Sequence, residues 1–128
     1  MIKVSPVLSK DEIHEIFAQY HLCAGDDSAV LTAMNGSDIL GKCLLECRED
    51  GVHILAIDFQ QGDDSLVDWL IRAAMNYAAN RGAYLAYCGL SQYEDVLLSL
   101  SFEKKGDIYI GEVPEIFKGC KKCGGNTR

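Results

Sequence analysis

The sequence predicts an α+β fold in which one mixed sheet is packed against helices. Two observations predict it. Three strand-like segments joined by tight turns lie between residues 28 and 58, and strands joined in this way pair antiparallel. A buried-type strand, an amphipathic helix and a second buried-type strand follow one another between residues 52 and 88, and such a unit has parallel strands. The sheet therefore contains both kinds of pairing.

The length and composition predict one globular domain. The chain has 128 residues, of which 48% are hydrophobic, so it can bury a core without cross-links. Its formal net charge of -7 argues against nucleic acid and anionic membranes as partners, because both need a basic surface. No apolar run reaches the roughly 18 residues that span a bilayer, and the first residues do not resemble a signal peptide. The six cysteines are therefore expected as reduced thiols in a cytoplasmic protein.

The first half is predicted to contain a strand, a helix and a three-stranded meander. A strand over residues 2–8 precedes Ser9 and Glu12, which have the spacing of a capping box at the start of a helix. The pair Asn35-Gly36 is a strong signal for a two-residue hairpin turn. The three strands of the meander are expected at residues 28–34, 38–48 and 52–58.

The third strand of the meander, VHILAID, is predicted to be central in the sheet. It is apolar on both faces except at His53 and Asp58, and such strands are usually covered on both sides. Strict alternation along the strand predicts that these two polar side chains lie on opposite faces.

The second half is predicted to contain two helices, one further strand and a hairpin. The longer helix covers residues 65–81 and ends before Gly82, a residue type that commonly terminates helices. The motif SQYE at residues 91–94 has the spacing of a second capping box and starts the shorter helix. The remaining strands are expected at residues 83–88, 102–105 and 108–113. The order is β-α-β-β-β-α-β-α-β-β, with one domain over residues 1–113 and a peripheral tail over residues 114–128.

The segment DFQQGDDSLVDW, residues 58–69, joins the central strand to the longer helix. Free backbone N–H groups and the helix dipole favour an anion such as phosphate at such a place. However, Asp63 and Asp64 lie there, and no Lys or Arg lies between Arg48 and Arg72. Like charges at close range near a surface repel by roughly 1 kcal/mol or more. The segment is therefore either a degenerate phosphate loop or a self-capped helix start, in which an acidic side chain or a serine satisfies the helix N–H groups.

The tail contains Cys120 and Cys123, which have the spacing of half a zinc site. A complete site needs two more ligands, and the sequence has no second CxxC and no histidine at a fitting spacing. A symmetric dimer could combine two halves, whereas the alternative is a loose tail with two exposed thiols. We therefore predict no metal site.

The chain resembles the GNAT superfamily of N-acetyltransferases. Three segments carry the resemblance: VHILAID, LIRAAMNYAANRGAYLAYC at residues 70–88, and LLSLSFEKKGDIYIGEV at residues 97–113. The resemblance covers residues 2 to about 113 and implies a GNAT-type acyl-CoA N-acyltransferase fold. It implies that acetyl-CoA binds where the fourth and fifth strands separate, with the backbone of Ala56 and Ile57 holding the pantetheine arm.

The pyrophosphate loop of the family departs from its usual pattern in this chain. The family motif Q/R-x-x-G-x-G/A falls on residues 62–67, so the cofactor-binding residues implied are Gly62, Asp63, Asp64 and Ser65. Ser65 replaces the first glycine, and Val67 replaces the last small residue.

Three residues are candidates for catalysis. Asp58 at the end of the central strand and Glu46 on the neighbouring strand could accept a proton from an amine through water. Many family members carry a tyrosine in the short helix that protonates the leaving thiolate. That position falls on Leu97 here, and Tyr93 lies one helical turn earlier, about 6 Å along the axis.

Two functions follow from the resemblance. The first is an N-acetyltransferase that moves an acetyl group from acetyl-CoA to a small-molecule or peptide amine. The alternative is a catalytically inactive GNAT-fold module that has lost the cofactor loop and serves binding or homodimerisation.

Overall fold

The computed structural model describes residues 2–59 and 64–113, and its element order confirms the predicted one. The elements are β1 (Ile2–Pro6), α1 (Lys10–Gln19), β2 (Ser28–Asn35), β3 (Asp38–Arg48), β4 (Gly51–Phe59), α2 (Asp64–Asn80), β5 (Leu85–Cys88), a 3-10 turn (Ser91–Tyr93), α3 (Glu94–Ser99), β6 (Glu103–Lys105) and β7 (Ile108–Glu112). None of the helices within these two ranges is long and apolar enough to cross a bilayer. The predicted tail over residues 114–128, including Cys120 and Cys123, lies outside the described residues.

The seven strands form one sheet in the order β1-β2-β3-β4-β5-β7-β6. Only β4 and β5 pair in parallel, and the other neighbours pair antiparallel, so the predicted mixed sheet is confirmed. The C-terminal hairpin joins the sheet through its second strand, because β7 lies between β5 and β6.

Helices cover the two faces of the sheet unequally. The main core lies under α2 and α3, where α2 contributes Leu66, Val67, Leu70, Ile71, Ala74, Met75 and Ala78. A smaller cluster lies under α1 on the opposite face and centres on Phe17, Val30 and Leu44. Burial of apolar side chains on both faces accounts for the apolar composition of the central strands.

Of the local signals in the sequence, the cap at Ser9 is confirmed and two turn signals are wrong. The Ser9 side chain accepts a hydrogen bond from the Glu12 N–H at 3.3 Å and so caps α1. The predicted capping box at residues 91–94 is wrong: Leu90 precedes the 3-10 turn, and no side-chain cap is formed there. The turn begins at Ser91, so the serine is its first residue and not the residue that caps it. In the first hairpin Asn35 pairs with Asp38, so the two-residue loop is Gly36-Ser37 and not Asn35-Gly36.

A β-bulge in β4 changes which side chains share a face. The register against β3 moves from Ile54 directly to Ala56, so Leu55 is the extra residue. Ile54 and Ile57 consequently both face α2, and Leu55 and Ala56 both face α1. The prediction that His53 and Asp58 lie on opposite faces is therefore wrong. The bulge shifts the alternation by one residue, and both point to the α1 face.

Candidate active site

The parallel pairing of β4 with β5 ends well before β4 does. β5 pairs with Val52, His53 and Ile54, whereas β4 continues to Phe59. We call the space beside residues 55–59 of β4, beyond the last pair with β5, the β4–β5 opening. It lies at the carboxyl ends of the two parallel strands and next to the start of α2, and ligands commonly bind at such an edge of an open sheet.

Tyr93 spans the β4–β5 opening. Its hydroxyl donates a hydrogen bond to the Ile57 carbonyl oxygen at 3.4 Å, and its ring centroid lies 6.1 Å from that of Phe59, with the two rings tilted by 52°. The N–H and C=O of one residue in an extended strand point to the same side. The Ile57 N–H therefore also faces the opening, whereas the Ile57 side chain is buried under α2.

The position at which many family members carry the tyrosine is occupied here by a buried leucine. Leu97 is fully buried in the main core, together with Leu100 and Phe102. Tyr93 lies in the 3-10 turn before α3, is only half-buried, and brings a phenol to the backbone of β4. The structure thus places the candidate acid at the opening, and its role stays a prediction.

The first turn of α2 begins five residues after the end of β4 at Phe59. The N–H groups of the first four residues of a helix have no partner within the helix. Leu66 and Val67 turn their side chains into the core, whereas Ser65 is exposed. Val67 therefore does not cover the N–H groups of this turn, although it replaces a small residue of the family motif. Gly62, Asp63 and the side chain of Asp64 lie outside the described residues.

Asp58 lies at the exposed end of β4 and contacts α1. It accepts a hydrogen bond from the hydroxyl of Tyr20, the C-cap residue of α1, with 2.5 Å between the oxygens. Partial burial, followed by the hydrogen bond to Asp58 and its charge, raises the pKa of Tyr20 to about 12. The phenol is therefore a hydrogen-bond donor at neutral pH. The apolar face of α1 predicted that Tyr20 points to the sheet, but no sequence signal identified Asp58 as its partner.

Glu46 lies far from Asp58. It is opposite His53 in the register, whereas Asp58 is opposite Lys42, four residues away along β3, or about 13 Å. One oxygen of Glu46 binds the Nε and a terminal nitrogen of Arg48, at 2.8 and 2.7 Å. The two carboxylates named as candidate bases are thus not brought together, and only Asp58 is near the opening.

The described part of the chain contains no cluster of three or more His, Cys, Asp or Glu residues that could hold a metal ion. Within this part, the phenol of Tyr93 and the backbone of Ile57 lie at the opening, the Asp58 carboxylate and the Tyr20 phenol lie one residue further along β4 on the α1 face, and the first turn of α2 follows β4 in the chain. This set combines hydrogen-bond donors, one carboxylate and a helix N-terminus, and it suits acid–base chemistry on a bound anion.

Several solved structures share this fold, although no protein-family model and no curated protein matches the sequence. The ribosomal-protein-S18-alanine N-acetyltransferase of Escherichia coli has a TM-score of 0.69 and 12% identity, over 88% of this chain and 94% of its own. A Bacillus subtilis acetyltransferase in complex with CoA has a TM-score of 0.63 and 14% identity, over 83% and 79%. A Desulfovibrio desulfuricans protein assigned to the GNAT family has a TM-score of 0.69 and 12% identity, over 88% and 99%.

The chain therefore has the GNAT acetyltransferase fold, as its sequence predicts. Similarity at these identities establishes the fold, and a fold alone does not determine the reaction. The activity is argued below from the residues at the β4–β5 opening.

Proposed function

We propose that this protein is a GNAT-type N-acetyltransferase that transfers an acetyl group from acetyl-CoA to a small-molecule or peptide amine. The observation that carries the proposal is the β4–β5 opening, with the backbone of Ile57 facing it and Tyr93 and Asp58 beside it. These groups can bind a thioester, assist an attacking amine and protonate a leaving sulfur.

The residues around the opening fit acetyl-CoA. The β4 segment beyond Ile54 has no strand partner on its β5 side among the described strands, so an amide-containing arm can add to it as an extra strand. In this proposal the backbone of Ala56 and Ile57 holds that arm. The pyrophosphate is assigned to the segment 62–65 by the resemblance, and the side chain of Val67, which replaces a small residue of the motif, is buried in the core and so does not cover the first turn of α2. Asp63 and Asp64 oppose the phosphate charge and weaken binding.

Each residue has one task in the proposed reaction. Acetyl-CoA supplies the acetyl group as a thioester. The Ile57 N–H donates to the carbonyl oxygen and stabilises the negative charge that develops there. Asp58 accepts the proton that the attacking amine loses. Tyr93 donates its phenolic proton to the leaving sulfur as the new C–N bond replaces the C–S bond, and solvent returns a proton from Asp58 to Tyr93.

One observation favours the second candidate, a catalytically inactive module. Tyr93 already binds the Ile57 carbonyl, so the protein itself occupies a backbone group that a cofactor would use. At 3.4 Å this neutral hydrogen bond is long and contributes at most about 1 kcal/mol, which a bound ligand readily offsets. We therefore favour the enzyme over the inactive module.

Isothermal titration calorimetry with acetyl-CoA and with CoA tests the proposal directly. We expect binding of both ligands at micromolar to millimolar concentration. Mass spectrometry of primary amines and short peptides incubated with the protein and acetyl-CoA then tests for transfer. Absence of binding at millimolar ligand would remove the enzyme and leave the binding or dimerisation module.

A further inference from the structure

The contact between Tyr20 and Asp58 joins two elements that are distant in sequence. α1 ends at the tyrosine, and β4 presents the carboxylate one residue after Ile57. The hydroxyl binds one carboxylate oxygen, Oδ2, at 2.5 Å. This hydrogen bond restrains the carboxylate at Oδ2, and Oδ1 has acceptor capacity of its own.

Within residues 2–59 and 64–113, the hydrogen-bond partner of Asp58 is Tyr20, which binds Oδ2. Lys42 is the cross-strand neighbour of Asp58 on the same face, yet neither Lys42 nor any other cation of residues 2–59 and 64–113 forms an ion pair with it. The side chain is exposed, so a ligand can approach from solvent. In the part of the chain that the structure describes, the titratable groups that neighbouring elements place beside it are Tyr20 from α1 and Lys42 from β3.

We propose that Tyr20 and Asp58 together recognise the acceptor as an ammonium ion, with Tyr20 acting as a positioning residue for the carboxylate. The inference rests on the proposed N-acetyltransferase function and names its acceptor class: primary amines that arrive protonated and carry no carboxylate next to the nitrogen. Asp58 Oδ1 binds the ammonium by a charge-assisted hydrogen bond. An N–H bond then breaks and an Oδ1–H bond forms, and this first proton passes from Asp58 to solvent. The neutral amine attacks, and the ionised Asp58 accepts the second proton that the nitrogen loses as the C–N bond forms.

Two charge effects favour this acceptor class, one at close range from the Asp58 carboxylate and one at longer range from the net charge of the protein. The carboxylate attracts an ammonium and repels an acceptor with a neighbouring negative charge at close range. The net charge of -7 favours the approach of cations at longer range and at low ionic strength. The close-range effect opposes amino acids with a free carboxylate beside the amine, and the long-range effect favours net cations over these net-neutral zwitterions.

A purely structural reading would make the same hydrogen bond a tether between α1 and the sheet. The two readings differ in what the loss of the hydroxyl does to stability. A tether lowers Tm and activity together, whereas a positioning residue lowers turnover while Tm stays close to that of wild type, and it does so only while the Asp58 carboxylate is present.

A double-mutant cycle separates the two readings. Wild type, Y20F, D58N and the double variant are compared by kcat and KM for one accepted cationic amine, and by Tm. We expect Y20F to lower kcat/KM about 10-fold and D58N about 100-fold or more, with KM for the amine rising in both. The double variant should match D58N within twofold. Y84F is the matched control, because Tyr84 is 72% exposed and loses the same atom far from the opening.

The outcomes are distinct. Equal activity of Y20F and wild type overturns the inference, as does a Y20F loss of the same size in the D58N background. An equal preference for amines with and without an adjacent carboxylate overturns the acceptor class. If wild type does not bind acetyl-CoA in calorimetry, the proposed function itself fails and the inference fails with it. Tm shows whether each variant folds, and D58S replaces D58N if the amide variant does not.

Discussion

Replacing Tyr93 with phenylalanine separates the binding role of its hydroxyl from its proposed role as an acid. The substitution removes one oxygen atom and keeps the ring that lies against Phe59. The lost hydrogen bond to Ile57 is 3.4 Å long and neutral, so its loss should reduce the free energy of unfolding by less than about 1 kcal/mol. The freed Ile57 carbonyl should allow CoA to bind equally well or up to about fivefold more tightly.

Whereas the affinity for CoA should stay the same or rise, kcat should fall. General acid catalysis contributes roughly 10²- to 10⁴-fold, so kcat of Y93F should fall at least about 100-fold. Calorimetry with CoA measures affinity, and mass spectrometry under saturating substrates measures kcat. The Y84F variant controls for removal of an exposed hydroxyl. A Y93F enzyme with unchanged kcat would refute the assignment of Tyr93 as the acid, and a large loss of CoA affinity would refute the claim that its hydroxyl competes for Ile57.

Three further predictions concern the loop, the sheet and Tyr20. Replacing Asp63 and Asp64 together by Asn should tighten CoA binding at least about fivefold as repulsion of the phosphates is removed, and unchanged affinity in calorimetry would contradict this. Gly51→Ala should destabilise the fold by about 3 kcal/mol in urea unfolding, because the new Cβ would lie 2.3 Å from the first carbonyl oxygen of β5 and the glycine has φ +144°. Asp58→Asn should lower the pKa of Tyr20 from about 12, because the hydrogen-bonded anion is lost. The pKa should not fall below 10, because the partial burial of the phenol remains, and a ¹³C-tyrosine NMR titration measures it.

The elements and their order could be predicted because their signals are local. Ser9 and Glu12 place the start of α1 through a cap that needs no distant partner. Gly106 has φ +66° in the final hairpin turn, where a glycine is expected. The central position of β4 follows from its apolar composition alone. Such signals act over a few residues. They fix where elements begin and end more reliably than the details of each turn, since the cap at Ser91 and the turn at Asn35-Gly36 do not form as predicted.

The apolar composition of β4 predicts that the strand is central, but it also hides the bulge inside the strand. A strand that is apolar on both faces has no alternation to reveal a shift, so nothing in VHILAID marks Leu55 as the extra residue. The bulge depends on the pairing with β3, which is a tertiary contact. A prediction without the bulge places Asp58 and His53 on different faces of the sheet. It therefore does not bring Asp58 to Tyr20.

In the proposed reaction, the bulge allows one short segment of β4 to contact both the acetyl donor and the amine acceptor. Ile57 turns its side chain to α2 and its backbone to the β4–β5 opening, where Tyr93 lies. Asp58, the next residue, turns to the α1 face, where Tyr20 holds it. Without the extra residue at Leu55, the alternation of β4 would direct the Asp58 carboxylate into the apolar core under α2, which costs several kcal/mol for a charge without a partner. In the proposed reaction, the backbone of Ile57 that binds the donor and the Asp58 carboxylate that binds the acceptor are therefore adjacent in sequence. The backbone lies at the edge of the strand and the carboxylate on the α1 face, because β4 contains one residue more than its pairing with β3 requires.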